Sequence, residues 1–317
     1  MTRQWPKSFA DRVNEPLPGR REFLRLVREG GFRGKERPER ELGEIPTVDE
    51  PLPQLTGGQS SLTWIGHASY LIRTGGRVIL ADPVWSEAIP GRIRRRTAPG
   101  LPWDDLPPID AVVISHNHYD HLDAPTIRRL PRRTPILAPA ALGSWFTRRG
   151  FTDVTELDWW EQHTVAGVGF EFVPAHHWTR RGLRDLNHTL WGGWIIQADG
   201  GPVIYHAGDS AYGHRFAEIG QRHHHIDVAM MPIGAYAPRW FMGSAHADPA
   251  QAVQASLDAH VQRMAWMHWG TFVLSQEPMA EPARLTRQAW AAAGRPAEDL
   301  WDLAIGETRV LSPATRS

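Results

Sequence analysis

The chain has no cysteine, which removes disulfides, thiolate metal sites and thiol nucleophiles from consideration. It has no excess of either charge, since Lys+Arg and Asp+Glu both number 35. No global field therefore recommends nucleic acid or an acidic partner. It has no uncharged apolar run of the ~18 residues that a membrane helix needs, and its opening, MTRQWPKSFADRVNEPLPGRR, has no apolar signal core. These absences predict a cytoplasmic protein that binds no nucleic acid. Glycine and proline, 29 and 26 in 317 residues, make the chain loop-rich without reaching the level of disorder. Two excesses stand out: 16 His and 15 Trp.

The first 59 residues carry 11 basic and 10 acidic side chains and seven prolines. They read as a charged extension draped over a core domain spanning 60–317. One short helix is expected at Arg21–Glu29, ended by Gly30-Gly31, with Phe23, Leu26 and Val27 docked on the core in preference to a membrane-surface contact flanked by Arg21, Arg25 and Arg28. From Ser61 onward, apolar runs such as SLTWIGHASYLI, GRVILADP, DAVVISHNH, VGFEFVP, PVIYHAGD and HIDVAMMP read as strands running into loops. Helices are expected between them at Ala124–Arg133, Pro139–Arg149, Pro249–His260 and Glu281–Ala293. This alternation predicts a layered α/β sandwich, not a doubly wound parallel sheet.

The run Ser115-His116-Asn117-His118-Tyr119-Asp120-His121 places three His and one Asp within six residues directly after the apolar strand Ala111–Ile114. His116 and His118, two apart in extended chain, can point to one side. Asp120 and His121 follow on the turn into a helix that Asp123 can cap. The loop can thus offer two nitrogens to one ion, and a carboxylate and a nitrogen to a second. His177, Asp209 and His268 each follow a later apolar strand and can complete the two sets, with Asp209 bridging. Such a donor set suits two Zn²⁺ ions per chain, with Mn²⁺ or Fe as substitutes.

The HxHxDH loop with its spaced His, Asp and His resembles the metallo-β-lactamase superfamily, which implies an αββα sandwich and a dinuclear site. SHNHYDHLD, ELDWWE, His177-Trp178, AGD, PIGAYAPRWFM, HADP and HWGTF resemble more closely the N-acylphosphatidylethanolamine-hydrolysing phospholipase D family and its bacterial relatives. The likeness runs from about Leu62 to Gly306 and departs at His206, where the family usually has Phe. It implies a phospholipase D-type phosphodiesterase whose metal-bridging hydroxide attacks phosphorus, with Asp120 orienting the nucleophile. His246 matches a family histidine near the substrate phosphate, either protonating the leaving alcohol or stabilising charge on phosphorus. It also implies a phosphodiester or phospholipid substrate, met peripherally at the inner face of the membrane; an oligomer is compatible with it. The rival readings are a lactonase or amidase on the same centre and a non-catalytic zinc scaffold.

Asp82 resembles the superfamily's first motif and is expected to accept a hydrogen bond from a ligating imidazole. His67 reads as structural, and His223, His224 and His225 as a solvated loop. Arg92–Arg96, between two prolines, reads as a loop that is either a solvated face or an anion contact. Trp240, Phe241 and Met242 form a candidate apolar rim for acyl chains.

Overall fold

The structure, a computed structural model, describes residues 3–31 and 44–312. Its strands are β1 (Ser60–Gly66), β2 (Ser69–Thr74), β3 (Arg77–Ala81), β4 (Ala88–Ile89), β5 (Ile93–Arg94), β6 (Ala111–Val113), β7 (Ile136–Pro139) and β8 (Val154–Leu157). The second half supplies β9 (Gln162–Val165), β10 (Val168–Val173), β11 (Gly193–Ala198), β12 (Ile204–His206), β13 (Ile226–Pro232), β14 (Val261–Met267), β15 (Leu300–Trp301) and β16 (Thr308–Leu311). They build two seven-stranded mixed sheets, ordered β16-β1-β2-β3-β6-β7-β8 and β15-β14-β13-β12-β11-β10-β9. The helices are α1 (Arg20–Arg28), α2 (Ala124–Arg129), α3 (Gly143–Thr147), α4 (Arg215–His223), α5 (Arg239–Met242), α6 (Pro249–Asp258) and α7 (Glu281–Ala292). This is the αββα sandwich of the metallo-β-lactamase fold.

Local chemistry sets the boundaries. SLTWIGHASYLI is broken into β1 and β2, because Gly66 and His67 both take positive φ in the turn between them. Helix α2 stops at Arg129: Leu130 is extended before Pro131, as a residue preceding proline prefers. Asp248 caps α6 by accepting from the Gln251 amide at 2.9 Å, with Pro249 in the first turn.

Much of the tryptophan excess lies in the core and holds the loops that follow strands. Trp64, Trp191 and Trp194 are among the largest fully buried side chains. Their indole N–H groups donate to the carbonyls of His67 (2.9 Å), Ala175 (3.0 Å) and Ile114 (3.0 Å) respectively. A buried indole needs such a partner, and here each partner lies at or next to a loop that carries histidines.

Three expectations are corrected. The apolar face of α1 is docked through Leu26 alone: Leu26 is buried, but Phe23, Leu24 and Val27 are 49%, 67% and 55% exposed. Arg92–Arg96 is not an open basic loop; β4 and β5 pair into a hairpin, and Arg95 turns inward between exposed Arg94 and Arg96. Arg95 donates to the carbonyls of Val84 (2.6 Å) and Ser86 (3.2 Å), which fixes it as a structural cation. His223 belongs to the end of α4, half-buried and 3.6 Å from buried Glu171, and not to a solvated loop. The segment before β1 is tied to the sandwich, with Phe9 fully buried and Thr47 bridged to Ile305.

Candidate metal centre

One rim of the sandwich collects the loops after β6, β10, β12 and β14, so both sheets contribute. His116, His118, Asp120 and His121 follow β6, while His177, Asp209 and His268 follow β10, β12 and β14. Gly208 makes the approach of Asp209 possible: its φ is +63°, and a Cβ there would lie 2.6 Å from the Gly192 carbonyl oxygen.

The side chains converge in three groups whose potential ligand atoms lie within 4.8 Å of one another. His116, His118, His177 and Asp209 form the first; His67, Asp120, His121 and His268 form the second; Asp209, His246 and His268 form a third. Asp209 Oδ2 sits centrally, 3.0 Å from His268 Nε2, 3.1 Å from His121 Nε2, 3.7 Å from His177 Nε2 and 3.9 Å from His116 Nε2. In the first group His116 Nε2 faces His118 Nδ1 at 2.9 Å, and His177 Nε2 faces the same atom at 3.3 Å. Three imidazole nitrogens aimed at one point cannot all find partners in each other, but they can share a cation.

The donor chemistry fits such a group. Nε2 of His121 and His268 and Oδ1 of Asp209 are buried without a hydrogen-bond partner among the described residues. Burial of this many orphaned polar atoms is costly unless something else satisfies them. Several outer nitrogens are already committed, as metal-bound imidazoles require. His121 Nδ1 lies 2.7 Å from Asp82 Oδ2, and His177 Nδ1 lies 2.9 Å from the Ala245 carbonyl. Asp82 also accepts from the Ser115 amide at 2.7 Å. His206, the departure from the family pattern, lies behind the centre with Nε2 2.9 Å from the Ala68 carbonyl.

Electrostatics divide the histidines. Burial lowers His118 to about 3 and His177 to about 4, so both are neutral near pH 7. Burial also acts to lower His268, but Asp209 and Asp120 outweigh it and raise this imidazole to about 9. His121 is raised well above its ordinary range against burial by the same two carboxylates. Burial acts to raise Asp209 and Asp120, yet their histidine neighbours, His121 foremost, hold both well below the usual carboxylate range. Without a cation, the two carboxylates are thus balanced by protonated His121 and His268, while His118 and His177 stay neutral beside them.

His246 reaches the centre from the segment before α6, with Nδ1 4.0 Å from Asp209 Oδ2 and without a hydrogen-bond partner among the described residues. Arg239 of α5 fixes its backbone by donating to the His246 carbonyl at 2.7 Å. Sequence reasoning missed two residues. His67, read as structural, lies in the second group, and only its place in the tight β1–β2 turn hinted at this. Arg181 steadies the histidine loop by donating to the Asn117 carbonyl at 2.9 Å.

A family profile for the beta-lactamase superfamily domain matches residues 77–269, a span that includes every residue of the three groups except His67. The chain belongs to that superfamily. Relatives and structural neighbours within it are described as metal-dependent hydrolases. N-acyl-phosphatidylethanolamine-hydrolyzing phospholipase D 1 of Caenorhabditis elegans is 36% identical over 228 residues, 66% of this chain and 64% of that protein. The mitochondrial N-acyl-phosphatidylethanolamine-hydrolyzing phospholipase D of Saccharomyces cerevisiae is 32% identical over 232 residues, 69% of this chain and 49% of that protein. This chain therefore spans less than two thirds of either relative's length. A metallo hydrolase from the archaeon Ignicoccus hospitalis superposes with a TM-score of 0.60 at 25% identity, covering 80% of this chain and 99% of that one. No described helix is long and apolar enough to cross a membrane.

Proposed function

We propose that this chain is a phospholipase D-type phosphodiesterase acting on N-acylphosphatidylethanolamine or a related lipid phosphodiester. The observation that carries the reading is the position of Asp209, one carboxylate between two sets of converging donors. His116, His118 and His177 would hold one divalent cation and Asp120, His121 and His268 a second, with Asp209 shared. Two such ions, Zn²⁺ by donor chemistry with Mn²⁺ or Fe as substitutes, supply a hydrolytic nucleophile at neutral pH and offset charge on a phosphoryl oxygen.

The chain's own groups do the rest. Asp120, with Oδ2 3.5 Å from His268 Nε2, orients the attacking water by accepting its hydrogen bond. Burial, with His177 and His268 adding to it, holds His246 well below the ordinary imidazole range although Asp209 opposes. His246 is therefore uncharged at neutral pH and acts as a hydrogen-bond donor to a phosphoryl oxygen, which favours the charge-stabilising half of its expected role over proton donation. A cavity of about 320 Å³ adjoins the centre at His177 and is walled by Asn14, His176, Tyr212 and Ser244. Its polar lining suits the ethanolamide head of the departing alcohol. Phe23, Leu24 and Val27, exposed on the helix whose Arg25 guanidinium covers the Trp240 ring, offer an apolar surface for the bilayer.

The test is a substrate panel on metal-loaded protein, with metal content measured in the same samples. N-acylphosphatidylethanolamine should be cleaved to phosphatidic acid and an N-acylethanolamine faster than a lactone, an amide or a β-lactam. Preference for the lactone would replace the reading with a lactonase. A filled site with no turnover would make the chain a scaffold.

A further inference from the structure

We infer that His67 is a positioning residue for Asp120, holding that carboxylate in place by donating a hydrogen bond from Nε2. The inference rests on the proposed role of Asp120 above. His67 Nε2 lies 3.0 Å from Asp120 Oδ2, and the His67 ring is almost completely buried.

The turn that carries His67 is built to aim it. His67 has φ +53°, a left-handed conformation uncommon outside glycine. The strain is held by three backbone contacts: the His67 amide donates to Thr271 Oγ1 at 2.8 Å, while its carbonyl accepts from Trp64 Nε1 at 2.9 Å and from the His268 amide at 3.0 Å. His268 is itself left-handed, with φ +66°. One residue thus links the backbone of one candidate ligand to the side chain of another, across the two sheets. Its ring packs against those of His268 at 4.2 Å and Phe272 at 5.3 Å between centroids, which leaves it little freedom to rotate.

The tautomer follows from the surroundings. Nδ1 is buried with no partner among the described residues, so a proton there would be wasted, whereas a proton on Nε2 meets a carboxylate. Donation to one lone-pair direction of Asp120 fixes the plane of the carboxylate and leaves its remaining lone pairs for a cation or a water. Ligation of an ion by His67 itself is the competing use of Nε2, and it would leave a buried N–H at Nδ1 unsatisfied.

Three variants and one spectrum test the inference. In metal-loaded protein labelled with ¹⁵N at histidine, long-range ¹H–¹⁵N spectra should show the His67 proton on Nε2. His67→Leu should weaken the second metal ion by about 10–100-fold in a chelator competition while the first ion binds as in the wild type. His67→Gln, whose amide can reach Asp120, should restore binding to within about threefold. His67→Asn suits the left-handed turn but is too short to reach, and it should behave like His67→Leu. If His67→Leu does not fold, the comparison of Gln with Asn decides the matter. An Nε2 without a proton, equal second-ion affinity in Leu and wild type, or equal affinities for Gln and Asn would overturn the inference. A wild type that takes up only one ion would instead contradict the dinuclear reading, and the spectrum would still report on His67.

Discussion

The side chains of Asp82 and His121 meet at 2.7 Å, and neither has any exposed surface. Asp82 stands at the end of β3 with φ +42° and joins the turn after that strand to the histidine loop through Ser115 as well as His121. An imidazole held through Nδ1 presents Nε2 inward, so this pair fixes the direction of one candidate ligand. Asp82→Asn keeps the shape but presents an amide to the same partners. It should cost about 10–100-fold in metal affinity or activity, read by chelator competition and by kcat/KM. Asp82→Ala strands buried donors and should also lower stability by about 1–3 kcal/mol in denaturant unfolding.

His246→Gln should retain full metal content while lowering turnover by about 10²–10³-fold. Because His246 is read as a neutral donor, the loss should be similar for an activated phenolate and for an alkoxide leaving group. A loss that vanishes with the phenolate would restore the general-acid role.

The stability of metal-free protein should depend on pH in two windows. His268, raised to about 9 against an ordinary 6.5, contributes stability that is fully present below 6.5 and lost as pH climbs through 9. His67 and His177, lowered to about 4, and His118, lowered to about 3, act in the opposite direction. Between about 4 and 6.5 the unfolded chain binds their protons and the folded one does not, so stability rises with pH there. Tm of metal-free protein should therefore peak near pH 6–7. Metal loading should remove the fall above 6.5, because a ligating nitrogen carries no proton.

In the β4–β5 hairpin, alternate arginines should behave differently. Arg95→Ala removes a buried guanidinium that burial has already lowered to about 10 and that remains charged at neutral pH. It leaves carbonyls of Val84 and Ser86 unpaired and should lower Tm by roughly 3–10 °C. Arg94→Ser and Arg96→Ser, both exposed, should leave Tm within a degree or so while weakening binding to anionic vesicles at low salt.

The strand-end histidines were legible because their chemistry is local: a polar run after an apolar strand declares itself whatever packs nearby. Asp82 was legible through its resemblance to the superfamily's first motif. His67 was not, since its proximity to Asp120 comes from the docking of β1 beside β2 and from Thr271 and His268 in the other sheet. Arg95 was hidden by its neighbours, because a run of charge looks solvated until a hairpin turns alternate residues inward. Helix α1 shows the reverse: its spacing gave the helix but not that Phe23 and Val27 stay exposed. The layered sandwich was readable from the order of strands and helices, while the pairing of β1 with β16, 245 residues apart at Thr63 and Thr308, was not.

The most direct measurement is the fate of solvent oxygen when metal-loaded protein cleaves N-acylphosphatidylethanolamine in H₂¹⁸O. Attack of water on phosphorus with departure of the N-acylethanolamine places one ¹⁸O in the phosphatidic acid and none in the alcohol. Mass spectrometry of both products should show that distribution. Label in a released fatty acid, or an intact lipid beside a rapidly opened lactone, would contradict the account.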